Sequence, residues 1–133
     1  MALKEKLAIG PPGVEVETEF DGAVGSVRVR GRTTFQQATL IGTKVMTLAR
    51  ERGVRHLLMN LRELGIEHSP SLGERYFMVR DWAAAGAGAV RVAMVVQPHL
   101  IDPRKFAILA ARNAGLVCDV FSDEAQACEW LNN

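Results

Sequence analysis

Apolar and polar positions alternate along residues 14–20, where Val14, Val16, Thr18 and Phe20 interleave with Glu15, Glu17 and Glu19. A period of two predicts a strand with one buried face. Asp21-Gly22 follows, a dipeptide suited to the positive backbone angles of a two-residue type I′ turn, and Val27-Arg28-Val29-Arg30 alternates again. A hairpin closed on that turn pairs Val16 with Val27, Val14 with Val29 and Glu15 with Arg28. Apolar and charged partners then separate onto opposite faces, which supports this register.

Beyond Gly31, read as the end of the second strand, the period becomes helical: Ala38, Ile41, Val45 and Leu48 recur along Thr34 to Arg52. Thr33 or Thr34 can cap this helix with Gln36 or Gln37 completing a capping box, and Gly53 suits the left-handed position past its end. Val54 to Leu61, with Leu57-Leu58-Met59 at its centre, lacks alternation and reads as a strand buried on both faces, the kind found in parallel sheets. The cycle then repeats. Ser71 and Glu74 form a second capping box ahead of a helix with Leu72, Tyr76, Val79 and Ala83 along one stripe, ending at Gly86-Ala87-Gly88. Val90 to Val96 is the next strand, stopped by Gln97-Pro98. Asp102-Pro103 reads as a cap with proline at the first helical position, opening a helix through Phe106 to Asn113. Leu116 to Phe121 is the last strand, and Ser122-Asp123-Glu124 starts a short helix reaching Trp130-Leu131.

The predicted fold is therefore a single α/β domain over residues 13–133, with a mixed five-stranded sheet and four helices in the order ββαβαβαβα. Residues 1–12, closing on Gly10-Pro11-Pro12, read as a tail outside it.

Composition adds boundaries to this picture. The chain has 133 residues, 48% hydrophobic and 23% charged, an ordinary globular balance. Its apolar runs are too short for a signal peptide or a membrane span, so a cytoplasmic location is expected. Cys118 and Cys128 form neither a CxxC nor a zinc pattern and read as two buried thiols in a reducing compartment. The net charge is +1. Seven basic residues fall between Arg28 and Arg55, but Glu15, Glu17, Glu19 and Asp21 lie close enough to offset them, so no nucleic-acid partner is expected.

Ligands of open α/β sheets bind outside the carboxyl ends of the strands. In this chain those ends are the loops 62–70 and 97–102, which hold Glu67, His68, Ser69, His99 and Asp102. Histidine and carboxylate are metal-ligand types, yet nothing resembles HExxH, so no metal is assigned. A hydrolase built on His68 and His99 stays open as an alternative. A Ser69-His99-Asp102 triad lacks the GxSxG elbow. With no GxGxxG or P-loop sequence, no cofactor is assigned either. Tyr76, Phe77 and Trp82 can fill a core or line an apolar ligand cleft between the second helix and the sheet.

The run LLMNLRELGIEHSPSLG, Leu57 to Gly73, resembles the strand-loop-helix signature of STAS domains of the anti-sigma-factor antagonist type. VFSDEAQACEWL, within Leu116 to Leu131, looks like the ending of the bacterial SpoIIAA-like branch, which is also compared with the lipid-binding CRAL-TRIO fold. Aligned on Leu72-Gly73, the family's aspartate falls on His68, its two hydroxyl residues on Ser69 and Pro70, and its first glycine on Ser71. The resemblance implies a non-enzymatic regulatory module that binds a protein partner, with a homodimer as one form of that binding. His68, Ser69 and Ser71 would be the docking or phospho-switch residues. It also implies the alternative, a small apolar or lipid-like ligand in a cleft formed by Glu67, Tyr76, Phe77, Trp82, His99 and Asp102.

Overall fold

The computed structural model describes residues 2–133; Met1, part of the expected tail, lies outside the described residues. Among the described residues there are seven strands and four α-helices: β1 (Leu3–Leu7), β2 (Glu15–Asp21), β3 (Val24–Thr33), α1 (Phe35–Glu51), β4 (His56–Asn60), β5 (Leu64–Ile66), α2 (Leu72–Gly86), β6 (Arg91–Val95), α3 (Phe106–Asn113), β7 (Cys118–Phe121) and α4 (Glu124–Leu131). The sheet runs β1-β2-β3-β4-β6-β7, with β5 paired to the far end of β3. The β1–β2 and β2–β3 pairs are antiparallel, and the rest are parallel. The α/β class, the mixed sheet and the four helices match expectation. The strand number does not: seven replace five.

Both extra strands sit where the sequence reads as irregular. Residues 3–7, expected to be tail, form β1 at the sheet edge, with Leu7 opposite Val16 and Lys6 opposite Glu17. Inside the loop 62–70, Leu64–Ile66 pairs with Gly31–Thr33. Gly31 therefore does not end β3. It holds φ +126° within the strand where β3 changes partner from β4 to β5.

The hairpin is displaced by two residues from the expected register. Val16 pairs with Val29, Thr18 with Val27, Glu17 with Arg28 and Glu15 with Arg30. Gly22-Ala23 form the loop, and only Gly22 has a positive φ, so the turn is not type I′. A slip of two keeps every side chain on its face, which is why face patterning cannot separate the two registers. A close contact can. In the observed register Phe20 lies opposite Gly25, and a Cβ at Gly25 would sit 2.6 Å from the Phe20 ring. Glycine in the strand makes room for the aromatic ring.

Helices α1, α2 and α3 cover one face of the sheet, where Val27, Val29, Leu57, Met59, Val92 and Met94 meet Ile41, Val45, Val79, Trp82 and Ala111. The opposite face is covered by α4 over Leu58, Ala93 and Val95, through Ala127 and Leu131. Arg91 at the start of β6 fastens α4 at its C-terminal end. Its Nη2 donates to the Trp130 carbonyl at 2.9 Å, its Nη1 to the Asn133 carbonyl at 3.1 Å, and the guanidinium stacks 4.1 Å from the Trp130 ring. A cation placed on the last carbonyls also complements the helix dipole.

Three helix starts differ in how they are built. Thr34 caps α1 by accepting from Gln37 N, as expected, but without the return bond of the expected capping box, whereas the Ser71–Glu74 capping box at α2 is complete. At α3 the expectation fails. The helix begins at Phe106, after Lys105 at φ +53°, while Asp102 accepts from Arg104 N and closes a separate turn. An aspartate followed by proline satisfies such a turn as readily as a helix start.

Candidate functional site

The carboxyl ends of β4, β6 and β7 open onto an apolar cavity of about 100 Å³. Met94 and Val120 of the sheet, with Leu61 and Val96 just past the ends of β4 and β6, form its floor, and Leu64 and Ile66 of β5 close one side. Its helical walls come from Ala38 of α1, Met78 and Trp82 of α2, and Ala107 and Ile108 of α3. Leu100, on a single 3-10 turn over Pro98–Leu100, closes over it. Alanine at positions 38 and 107 leaves space that a larger side chain would fill.

Trp82 is held rigidly at this wall. Its indole Nε1 donates to the Thr39 carbonyl at 3.1 Å, and the side chain is buried. The ring occupies the slot made by Gly42: a Cβ there would fall well inside van der Waals contact of the indole. Polar groups at the cavity are few. Arg75 donates from Nη1 to the Leu100 carbonyl at 3.0 Å, tying α2 to the 3-10 segment. Lys105 pairs with Asp119 at 2.8 Å. Asp102 also lines the cavity.

The expected site residues divide. Trp82 and Asp102 line the cavity. Phe77 points away from the core and is 64% exposed, and Tyr76 lies at the margin at 36%. Leu72 is also exposed, so the buried stripe of α2 runs through Val79, Trp82, Ala83 and Gly86 and only half matches the expected one. Glu67, His68, Ser69 and Ser71 are exposed outside the cavity. The backbone N–H of Glu67 donates to the Thr33 carbonyl at 3.1 Å, extending the β3–β5 pairing. Its loop neighbour Pro70 is the residue that reaches the cavity wall.

His99 is exposed on the 3-10 turn. Among the described residues no hydrogen bond joins His68, Ser69, His99 and Asp102 to one another, and no group of three His, Cys, Asp or Glu side chains is placed to hold a metal. The Ser71 hydroxyl is committed to its capping box, accepting from Glu74 N at 3.1 Å while Glu74 accepts from Ser71 N at 2.9 Å. The hydrogen bonds from Ser71, with a smaller contribution from the charge of His68, hold the Glu74 carboxyl below its ordinary pKa. A depressed carboxylate supports the folded state at neutral pH, and that support fades on acidification through its folded pKa.

Of the two cysteines, Cys118 is buried as expected, and desolvation pushes its thiol up to about 12. Cys128 is only half-buried, against expectation, and desolvation raises its thiol as well.

Sequence reasoning missed Arg75, Leu100, Lys105 and Ile108. The signal for Arg75 is its spacing, since positions 75, 78, 79 and 82 fall on one side of a helix. Nothing in the sequence marks the 3-10 turn as a cavity wall. No protein-family model and no curated protein matches this chain. Among the described residues no helix is long and apolar enough to cross a membrane.

Proposed function

We propose that this α/β protein binds a small apolar molecule, or the apolar end of a larger one, in the cavity at the strand ends. The single observation that carries this reading is the cavity itself, about 100 Å³ walled by Leu61, Ile66, Met94, Val96, Ile108 and Trp82. An engineered apolar cavity of ~150 Å³ stays dry and takes benzene. A space somewhat smaller fits a short alkyl chain or a branched end, and a whole lipid does not fit inside it. Lipid binding of the CRAL-TRIO kind is narrowed accordingly to a short apolar group. Titration with 1-hexanol followed by amide chemical shifts checks this: shifts are expected at Leu61, Val96 and Ile108, and Ala107→Leu, which fills the space, is expected to abolish them. A titration that moves none of these amides up to the solubility limit of the alcohol removes the reading.

A second reading is a STAS-like regulatory module that docks a protein, and a separate observation favours it. Leu72, Tyr76 and Phe77 on α2 and Phe106 and Leu109 on α3 are exposed apolar side chains on adjacent helices. The strand-loop-capped-helix order across Leu57 to Gly73 is what such a module would use, with Ser69 as the free hydroxyl ahead of the cap. Sedimentation velocity checks its self-associating form. A dimer that Phe77→Glu dissociates supports it, and a monomeric wild-type protein removes that form.

A further inference from the structure

We infer that the cavity ligand is a small monocarboxylate, with its tail among the apolar walls and its head group on Arg75. This rests on the cavity reading above and adds the chemistry of the head group. Two cations stand at the cavity wall, and they differ in what neutralises them. Lys105 has a carboxylate of its own, Asp119, at 2.8 Å. Arg75 has none: among the described residues no acidic side chain lies within ion-pair distance of it, and its one hydrogen bond goes to the neutral Leu100 carbonyl.

Glu74 is held in the capping box with Ser71, and Asp102, the acidic side chain at the cavity wall, accepts from Arg104 N within its own turn and makes no ion pair with Arg75. A half-buried guanidinium beside apolar surface loses hydration without gaining a counter-charge. It is also the group whose fork of N–H donors matches the two oxygens of a carboxylate. Arg75 commits Nη1 to Leu100, and none of its remaining nitrogens is sealed from solvent without a partner, so these donors are open to a ligand at the cavity wall that Arg75 lines. The same Leu100 carbonyl ties the 3-10 segment to Arg75, so a head group bound there would sit where that segment closes over the cavity. The small volume limits the tail to a short chain or a single ring.

Hexanoate and 1-hexanol, which share a chain length and differ in the head group, make the test. In the wild-type protein hexanoate is expected to bind about tenfold or more tighter than 1-hexanol, the span of a hydrogen-bonded charge pair. Arg75→Gln is expected to remove the preference for hexanoate, read as the ratio of the two affinities in the same variant, and Arg75→Lys to recover part of it. Equal affinity for the two probes in the wild type, or a preference that survives Arg75→Gln, overturns the carboxylate assignment and leaves the apolar cavity standing. Binding of neither probe overturns the cavity reading and this inference together. The wild-type comparison decides the head-group question even where Arg75→Gln disturbs the Leu100 segment.

Discussion

Trp82→Ala is expected to lower stability by about 3–5 kcal/mol, the range for truncating a large buried aromatic side chain. The whole indole is buried, it is the largest fully buried side chain, and its Nε1–H bond to Thr39 disappears with it. The void left behind would join the existing cavity, so the surrounding walls have little chance to collapse onto it. Urea unfolding should show a lower midpoint with an unchanged slope. A loss below about 1 kcal/mol would mean that the site relaxes freely and that Trp82 is not the rigid wall described above.

A partner substitution separates packing from helix propensity. Gly42→Ala in the wild type forces a methyl group into the indole and is expected to destabilise by about 1–3 kcal/mol. In the Trp82→Ala background the methyl group has room, and replacing a mid-helix glycine should instead stabilise by up to ~1 kcal/mol. The reversal of sign in a double-mutant cycle is the result that ties the two residues together.

Gly31→Ala is expected to be the most damaging single methyl group in the sheet, at about 3 kcal/mol or more when backbone strain of ~1–3 kcal/mol is joined by a steric clash. The φ of +126° is one that side-chain-bearing residues rarely adopt, and a Cβ there would overlap the backbone carbonyl of Gly13, which cannot swing aside as a side chain can. Gly53→Ala is the control: φ is +77° with open space around the Cβ position, so only the left-handed cost of ~1–2 kcal/mol applies. Amide exchange should place the extra loss at Gly31, Thr33 and Leu64, where β3 meets β5. Similar costs for the two substitutions would show that the Gly13 contact yields.

The starts of α1 and α2 were legible, because capping is written in residues three apart: Thr34 with Gln37 and Ser71 with Glu74. The buried strands β4 and β6 were equally plain, since unbroken apolar runs between helices admit few other readings. The hairpin register was not legible from alternation, and the Phe20–Gly25 pairing that favours it is a contact between side-chain volumes rather than a pattern. β5 has three residues, too few to display a period. On α2 the sequence reading put Leu72, Tyr76, Val79 and Ala83 on one stripe, and the choice of Trp82 over Tyr76 depends on Gly42, a residue of another helix that opens the slot for the indole.

The sequence by itself determined the α/β class, the four helices, and the sheet end at which a cleft would lie, because period and capping are local properties of the chain. The tertiary structure alone decided that β1 and β5 join the sheet, that α4 packs on the second face over β4, β6 and β7, and that the cleft is an apolar cavity with Arg75, rather than His68 or Ser69, at its wall. Those outcomes depend on which volumes meet and which charges find partners across the fold, and neither quantity is carried by any one segment.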